Sequence, residues 1–235
     1  MISVCIATYN GEKHIKEQLD SILSQLGEND EIIISDDNSV DNTINIIQFY
    51  NDTRIKVFSN KIEKKGYTGN FENALKQASG DIIFLSDQDD VWAETKVEYC
   101  VALLEKYDMI ISDAVLIDEE NNLIGDSFYK IRKPYKSMLG NVYKFGYLGC
   151  CLAFRRTILE KALPFPVKRE LCTHDNWLVL IGLCFHNTII SSKKLIYYRR
   201  HTNNASSGGF VNNTSVWFKI YYRLYLIFNL IKRLK

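Results

Sequence analysis

The sequence predicts an α/β fold on a mostly parallel sheet with helices on both faces. Two observations lead there. Short apolar runs alternate with stretches of helical period through the first half, with short connections between them, and the apolar runs end in polar residues. A chain of 235 residues with 46% hydrophobic and 24% charged residues can bury a core of its own and is not disordered. Lys and Arg number 29 against 28 for Asp and Glu, without the basic excess of a nucleic-acid binder.

The elements follow in order. Ile2 to Ala7 is a strand buried on both faces; Ile15, Leu19, Ile22, Leu23 and Leu26 then recur at helical spacing. Glu31 to Ser35 is a second buried strand ending in Asp36-Asp37, Asn42 to Tyr50 is helical, and Ile55 to Phe58 is a third strand. Phe71, Ala74, Leu75 and Ala78 mark a helix closed by Gly80, and Ile82 to Leu85 is a fourth strand ending in Ser86-Asp87-Gln88-Asp89-Asp90. In parallel sheets of this kind ligands bind beyond the carboxyl ends of the strands, so one pocket fed by three strand ends is expected. Later, Met109 to Ile117 reads as a strand, Glu119 to Asn122 as a turn, Phe128 to Phe145 as loop, Leu148 to Phe154 as strand, Trp177 to Phe185 as a buried helix and Leu195 to Tyr198 as a late strand.

Six cysteines, none in a C-x-x-C pair and most in apolar runs, read as buried reduced thiols. Met1 runs straight into the first strand without a basic leader, so the expected location is a reducing cytoplasm.

The turn after the first strand, Thr8-Tyr9-Asn10-Gly11-Glu12, has neither a G-x-G-x-x-G nor a P-loop pattern, so a bound diphosphate needs another partner than glycine-turn amides. The run Asp87-Gln88-Asp89-Asp90 offers one. Three carboxylates in four residues repel one another, and a divalent cation of the Mg²⁺ or Mn²⁺ type relieves that conflict while bridging to phosphates. An exposed acidic turn or helix cap at Asp90 is the plainer alternative. Asp36-Asp37-Asn38-Ser39 fits a nucleoside contact at a strand end as well as ordinary turn chemistry.

Together, Ser3 to Asn10, Ser35 to Thr43 and Phe84 to Trp92 resemble the signature of family 2 glycosyltransferases with the GT-A fold, a Rossmann-like mostly parallel sheet. The run Leu85 to Trp92 most resembles the bacterial rhamnosyltransferase-like branch that builds surface polysaccharide. The resemblance spans residues 1 to about 205. It implies an inverting, metal-dependent enzyme that moves a sugar, L-rhamnose in that branch, from a dTDP- or UDP-sugar to a glycan or lipid-linked acceptor. Thr8 and Tyr9 would line the base pocket, Asp37 would accept from the pyrimidine, and Asp87 would face the ribose. Asp89 and Asp90 would reach the Mn²⁺ or Mg²⁺, with the choice between them open. Asp175, in Thr173-His174-Asp175-Asn176-Trp177, matches the position of the general base and also suits a helix cap. Arg199 and His201 would meet the diphosphate, or His201 would ligate the metal, and Asn203-Asn204 would shape a closing loop. Gly149, in a strand on the acceptor side, would lie close to the donor sugar.

These readings divide the chain into a catalytic domain, 1–210, with a nucleotide-binding half (1–107) and an acceptor-binding half (108–210), followed by a C-terminal amphipathic helix, 211–235. That helix is basic and aromatic and too short and interrupted to span a bilayer. It suits the cytoplasmic membrane interface, packing on the domain, or a dimer contact. Two other functions compete. A sugar-1-phosphate nucleotidyltransferase would resemble a glycine-rich loop after the first strand that is missing here, and intact aspartates at the strand ends speak against a non-catalytic sugar-binding relative.

Overall fold

The computed structural model describes residues 1–61, 66–201 and 215–234. Its elements begin with β1 (Ile2–Thr8), α1 (Ile15–Leu23), β2 (Glu31–Asp36), α2 (Thr43–Phe49), β3 (Ile55–Ser59), α3 (Tyr67–Gln77) and β4 (Ile82–Asp87). Next come β5 (Val91–Trp92), α4 (Lys96–Leu104), β6 (Met109–Ile117), β7 (Leu123–Gly125), α5 (Phe128–Arg132) and α6 (Met138–Tyr143). The chain closes with β8 (Leu152–Arg155), α7 (Arg156–Ala162), α8 (His174–Phe185), β9 (Thr188–Arg199) and α9 (Val216–Lys232).

The strands form one sheet in the order β3-β2-β1-β4-β8-β6-β9-β5, with β7 paired to β6. β3, β2, β1 and β4 run parallel; β8 is antiparallel to both β4 and β6; β6 and β9 are parallel again. The sheet therefore continues without a break across residue 107, between the two expected halves. Period-two alternation splits the apolar side chains between two cores. Val4, Ile6, Ile32, Ile34 and Phe84 face α1 and α4, while Cys5, Ile33, Ile83 and Leu85 face α3 and α8. The same register builds the site. Thr8 lies opposite Asp36, and Ala7 opposite Asp87, so the polar ends of β1, β2 and β4 come level at one edge.

The first-half elements agree with the sequence reading to within a few residues, and several later ones differ. Phe128 to Phe145, expected as loop, contains α5 and α6. Ser127 and Ser137 cap them by accepting from Lys130 N and Gly140 N, each at 3.1 Å, and Phe128 and Val142 are buried. Each is too short for a hydrophobic period to show. Leu148 to Phe154 divides into a 3₁₀ turn (Gly149–Cys151) and β8, and β9 starts well before Leu195. Val91–Trp92 pairs with β9 as β5, so Asp90 caps no helix. Cys184, expected in an apolar run, is exposed; the other five cysteines are buried. The expected domain boundary at 210/211 and Asn203-Asn204 lie outside the described residues.

Candidate active site

The level strand ends open into a cavity of about 400 Å³. Thr8, Tyr9, Asp37, Asp87, Asp89 and Asp175 all line it, so six of the nine side chains singled out in the sequence share one space. Asp90, Arg199 and His201 do not line it.

At the β1–β2 end, Thr8 Oγ1 donates to Asp36 Oδ1 at 2.9 Å, and Ser39 closes the turn onto both Asp36 oxygens (Oγ to Oδ1 2.6 Å, N to Oδ2 2.8 Å). Asp36 thus organises the turn, and its neighbour Asp37 faces the cavity. Asp37 accepts from Asn60 Nδ2 at 3.1 Å and Gly66 N at 2.9 Å. Asn38 takes a left-handed conformation (φ 64°), which its short polar side chain tolerates.

Gln88 performs a task the sequence did not reveal. Its amide accepts from Tyr9 N at 2.9 Å and donates to Tyr9 O at 3.0 Å, clamping the loop after β1 to the loop after β4. A Cβ at Gly11 would meet the Gln88 Oε1 at 2.4 Å, so the clamp fits because residue 11 is glycine.

The aspartates after β4 occupy three different environments. Asp87 lines the cavity, and burial, followed by the charges of Asp89 and Asp175, raises its carboxyl above the usual range. Asp90 is fully buried; burial and then the charges of Asp89 and Asp87 push its carboxyl well up. Its Oδ1 accepts from Arg199 N at 2.9 Å, whereas its buried Oδ2 has no hydrogen-bond partner. Ligand atoms of Asp87, Asp90 and Cys150 lie within 4.8 Å of one another. Asp89 points elsewhere, with Oδ2 2.8 Å from His201 Nε2, and His201 stacks on His14 at 5.5 Å. Beneath the cluster Lys96, 1% exposed, donates to Cys150 O at 2.7 Å and lies 4.4 Å over the Trp92 ring, a buried cation under an acidic floor.

Arg199 is 1% exposed. Its guanidinium donates to Asp89 O (2.8 Å), Asn121 Oδ1 (2.7 Å) and Glu17 Oε2 (2.6 Å), holding the acidic turn against α1 and the β6–β7 turn. This placement turns it away from the cavity in which a diphosphate contact was expected.

On the acceptor side, Asp175 stands in the first turn of α8, whose N-cap is Thr173; it accepts from the Thr173 hydroxyl and from Asn176 N at 2.8 Å. Neighbouring His174 is 4% exposed and stacked on Phe71 at 4.1 Å; neither of its ring nitrogens has a hydrogen-bond partner. Burial holds its pKa down, which favours the neutral ring. A Cβ at Gly149 would come within 2.6 Å of His174 Nε2, so the glycine there serves close packing beside the cavity. Arg132, at the end of α5, also lines the cavity. The position of His174 beside Asp175 was the only sequence signal for it. Arg132 had none, because its segment read as loop.

Comparison with known proteins gives the family and the fold. Residues 3–163 match Glycosyl transferase family 2. The chain is 31% identical over 173 residues to the Escherichia coli UDP-Glc:alpha-D-GlcNAc-diphosphoundecaprenol beta-1,3-glucosyltransferase WfgD, covering 72% of this chain and 66% of that protein. It is 36% identical over 125 residues to the Campylobacter jejuni GalNAc(5)-diNAcBac-PP-undecaprenol beta-1,3-glucosyltransferase, covering 52% and 40%. The crystal structure of S. aureus TarS 1-349 in complex with UDP-GlcNAc superposes with a TM-score of 0.75 at 21% identity, over 97% of this chain and 66% of that one. The mannosyltransferase PcManGT from Pyrobaculum calidifontis, in complex with GDP-Man and Mn²⁺, gives 0.62 at 19% identity, over 87% and 58%. These structures share the GT-A fold with this chain, which spans at most two thirds of the length of the relatives cited. With the family match running from β1 through α7, the chain belongs to glycosyl transferase family 2.

Proposed function

We propose that this chain is an inverting glycosyltransferase that moves a hexose from a UDP-sugar to a lipid-linked saccharide. The observation that carries the reading is the convergence of Thr8, Tyr9, Asp37, Asp87 and Asp89 from three strand ends with Asp175 on a single cavity. Thr8, Tyr9 and Asp37 hold the base, and Asp87 takes the ribose. Asp175 removes the proton from the acceptor hydroxyl as that oxygen attacks the anomeric carbon from the face opposite the leaving diphosphate. UDP-glucose is the favoured donor because two relatives are named as glucosyltransferases, one of them from UDP-Glc. The dTDP-rhamnose expectation has only motif likeness behind it.

The residues present fit a divalent cation. Asp89, on the cavity, and His201, 2.8 Å from it, offer oxygen and imidazole donors suited to Mn²⁺, while Asp87 gathers with Asp90 and Cys150, whose ligand atoms lie within 4.8 Å of one another. Asp89 is favoured over Asp90 because Asp90 is sealed in the core and tied to the Arg199 backbone. Bound there, the ion would neutralise charge on the departing diphosphate.

The lipid-linked acceptor fits the outer face of α9. Trp217 (80% exposed), Leu224 (61%) and Phe228 (55%) lie along one side of that helix, Lys232 Nζ lies 4.4 Å over the Phe228 ring, and no acidic residue occurs from Val216 to Lys232. This composition favours the surface of an anionic membrane. No helix among the described residues is long and apolar enough to cross one.

The test is release of nucleoside diphosphate from a panel of nucleotide sugars with and without Mn²⁺. UDP-glucose should be turned over only with the ion. No release from any donor, with no binding of UDP by calorimetry, would overturn the reading.

A further inference from the structure

The cavity wall built from residues 128–147 carries a charge that no motif announces. We propose that Arg132 forms a subsite for the phosphate or diphosphate of an anionic saccharide acceptor. This rests on the glycosyltransferase reading above and adds how the acceptor's charge is recognised.

Charge distribution is the first argument. Among the described residues that line the cavity, Arg132 is the one lysine or arginine, set against the carboxylates of Asp37, Asp87, Asp89 and Asp175. The carboxylates of Asp37, Asp87 and Asp89 and the Asp89–His201 pair belong to the nucleotide end, where a metal ion would neutralise the donor's phosphates. Arg132 belongs instead to the wall shared with Phe128, Phe145 and Tyr147, whose rings offer flat apolar surface to a sugar.

The second argument is that this wall is built, not loose. Asp113 on β6, 3% exposed, accepts from Ser127 Oγ at 2.5 Å and from Tyr129 N at 3.0 Å, fixing the start of α5 on the sheet. Tyr129 Oη donates to Ile111 O (3.0 Å) and Ser112 O (2.8 Å), and Phe128 is 1% exposed. The helix stops at Arg132 because Lys133 turns left-handed (φ 47°). The Arg132 guanidinium donates to Phe145 O at 3.3 Å, Tyr147 Oη donates to Tyr135 O at 2.9 Å, and a Cβ at Gly146 would touch Pro134 at 3.0 Å. Both sides of the wall thus hold each other.

The third argument is chemical. The planar guanidinium matches the oxygens of a phosphate two at a time, a fit that a neutral glycan does not offer.

Calorimetry on the full chain, saturated with UDP and Mn²⁺, tests the subsite. The probes are an alkyl-diphospho-N-acetylglucosamine and the neutral alkyl glycoside of the same sugar and chain. The wild type should prefer the charged probe by about 10- to 100-fold. R132Q should abolish that preference and R132K keep part of it, with UDP affinity unchanged in both. The proposal is overturned if the wild type shows no preference, if R132Q keeps it in full, or if UDP affinity falls with it, which would assign Arg132 to the donor. Should R132Q fail to fold, R132K decides by the same readout: a reduced preference supports the subsite, and a full one overturns it. Hydrolysis of UDP-glucose by the wild type, followed in parallel, reports on the glycosyltransferase reading separately.

Discussion

Asp175 carries the proposed proton transfer, and its setting makes that role testable with one atom changed. The Asp175 carboxylate accepts from the Thr173 hydroxyl and from Asn176 N inside the first turn of α8, a helix whose Trp177 to Ile181 are completely buried. Asn in its place can still accept both hydrogen bonds through its carbonyl oxygen, so Asp175→Asn should leave the fold and UDP binding intact. Turnover should fall by about 10²- to 10⁴-fold, the usual contribution of a positioned base. Calorimetry with UDP and steady-state kinetics check the two halves of that statement, and wild-type turnover in the variant would remove Asp175 from the chemistry. The five other residues on the cavity were legible in the sequence because polar residues after buried parallel strands must emerge at one edge, whereas Asp175, at the start of a helix, was legible only through the family resemblance. The surroundings of Arg199 and Arg132 were not legible. Arg199 is enclosed by the Asp89 carbonyl, Asn121 and Glu17, and Arg132 is placed by the attachment of α5 to Asp113, contacts between segments far apart in the chain.

The strand–helix units depend on ties of the same long-range kind, and Glu31 at the start of β2 is the clearest case. It is 2% exposed and joins three segments: Ser3 Oγ donates to it at 2.6 Å from β1, Ser79 N at 2.7 Å from the turn before β4, and Lys56 Nζ at 2.7 Å from β3. Burial alone would raise this carboxyl, but the hydrogen bonds from Lys56, Ser3 and Ser79 outweigh it and hold the pKa at about 2. Because the folded pKa lies below the unfolded value of 4.5, the ionised form stabilises the fold above that value, and the contribution is lost as pH falls toward about 2. Glu31→Gln should therefore cost about 2 kcal/mol at pH 7 and distinctly less at pH 3, as read from urea unfolding at both values. An equal loss at both would show that packing, not charge, anchors β2. At this scale the first-half elements were readable because each is long enough to display its period. The short α5 and α6 were not, nor was the insertion of β8, antiparallel, between β4 and β6, which only the closed sheet determines.

For the molecule as a whole, the question is why a chain that buries Leu226 and Leu230 of α9 in one of its two cores leaves so much of the same helix bare. Trp217, Ile220, Leu224, Phe228 and Ile231 repeat at intervals of three and four residues, so they form a continuous stripe along one side of the helix. A stripe of that length is ordinarily covered. An anionic lipid surface would cover it and meet Lys232, whose Nζ lies 4.4 Å over the Phe228 ring of the stripe. Trp217→Ser with Leu224→Ser removes two of the most exposed apolar groups without touching the core. The wild type should float with vesicles containing phosphatidylglycerol, and the attachment should weaken as salt rises, since exposed charges are screened within about 10 Å at 0.1 M ionic strength. The double variant should remain at the bottom of the gradient with its turnover of soluble acceptors unchanged. Equal behaviour of the two proteins, or dimers of the wild type that dissociate in the variant, would assign the stripe to a protein contact instead.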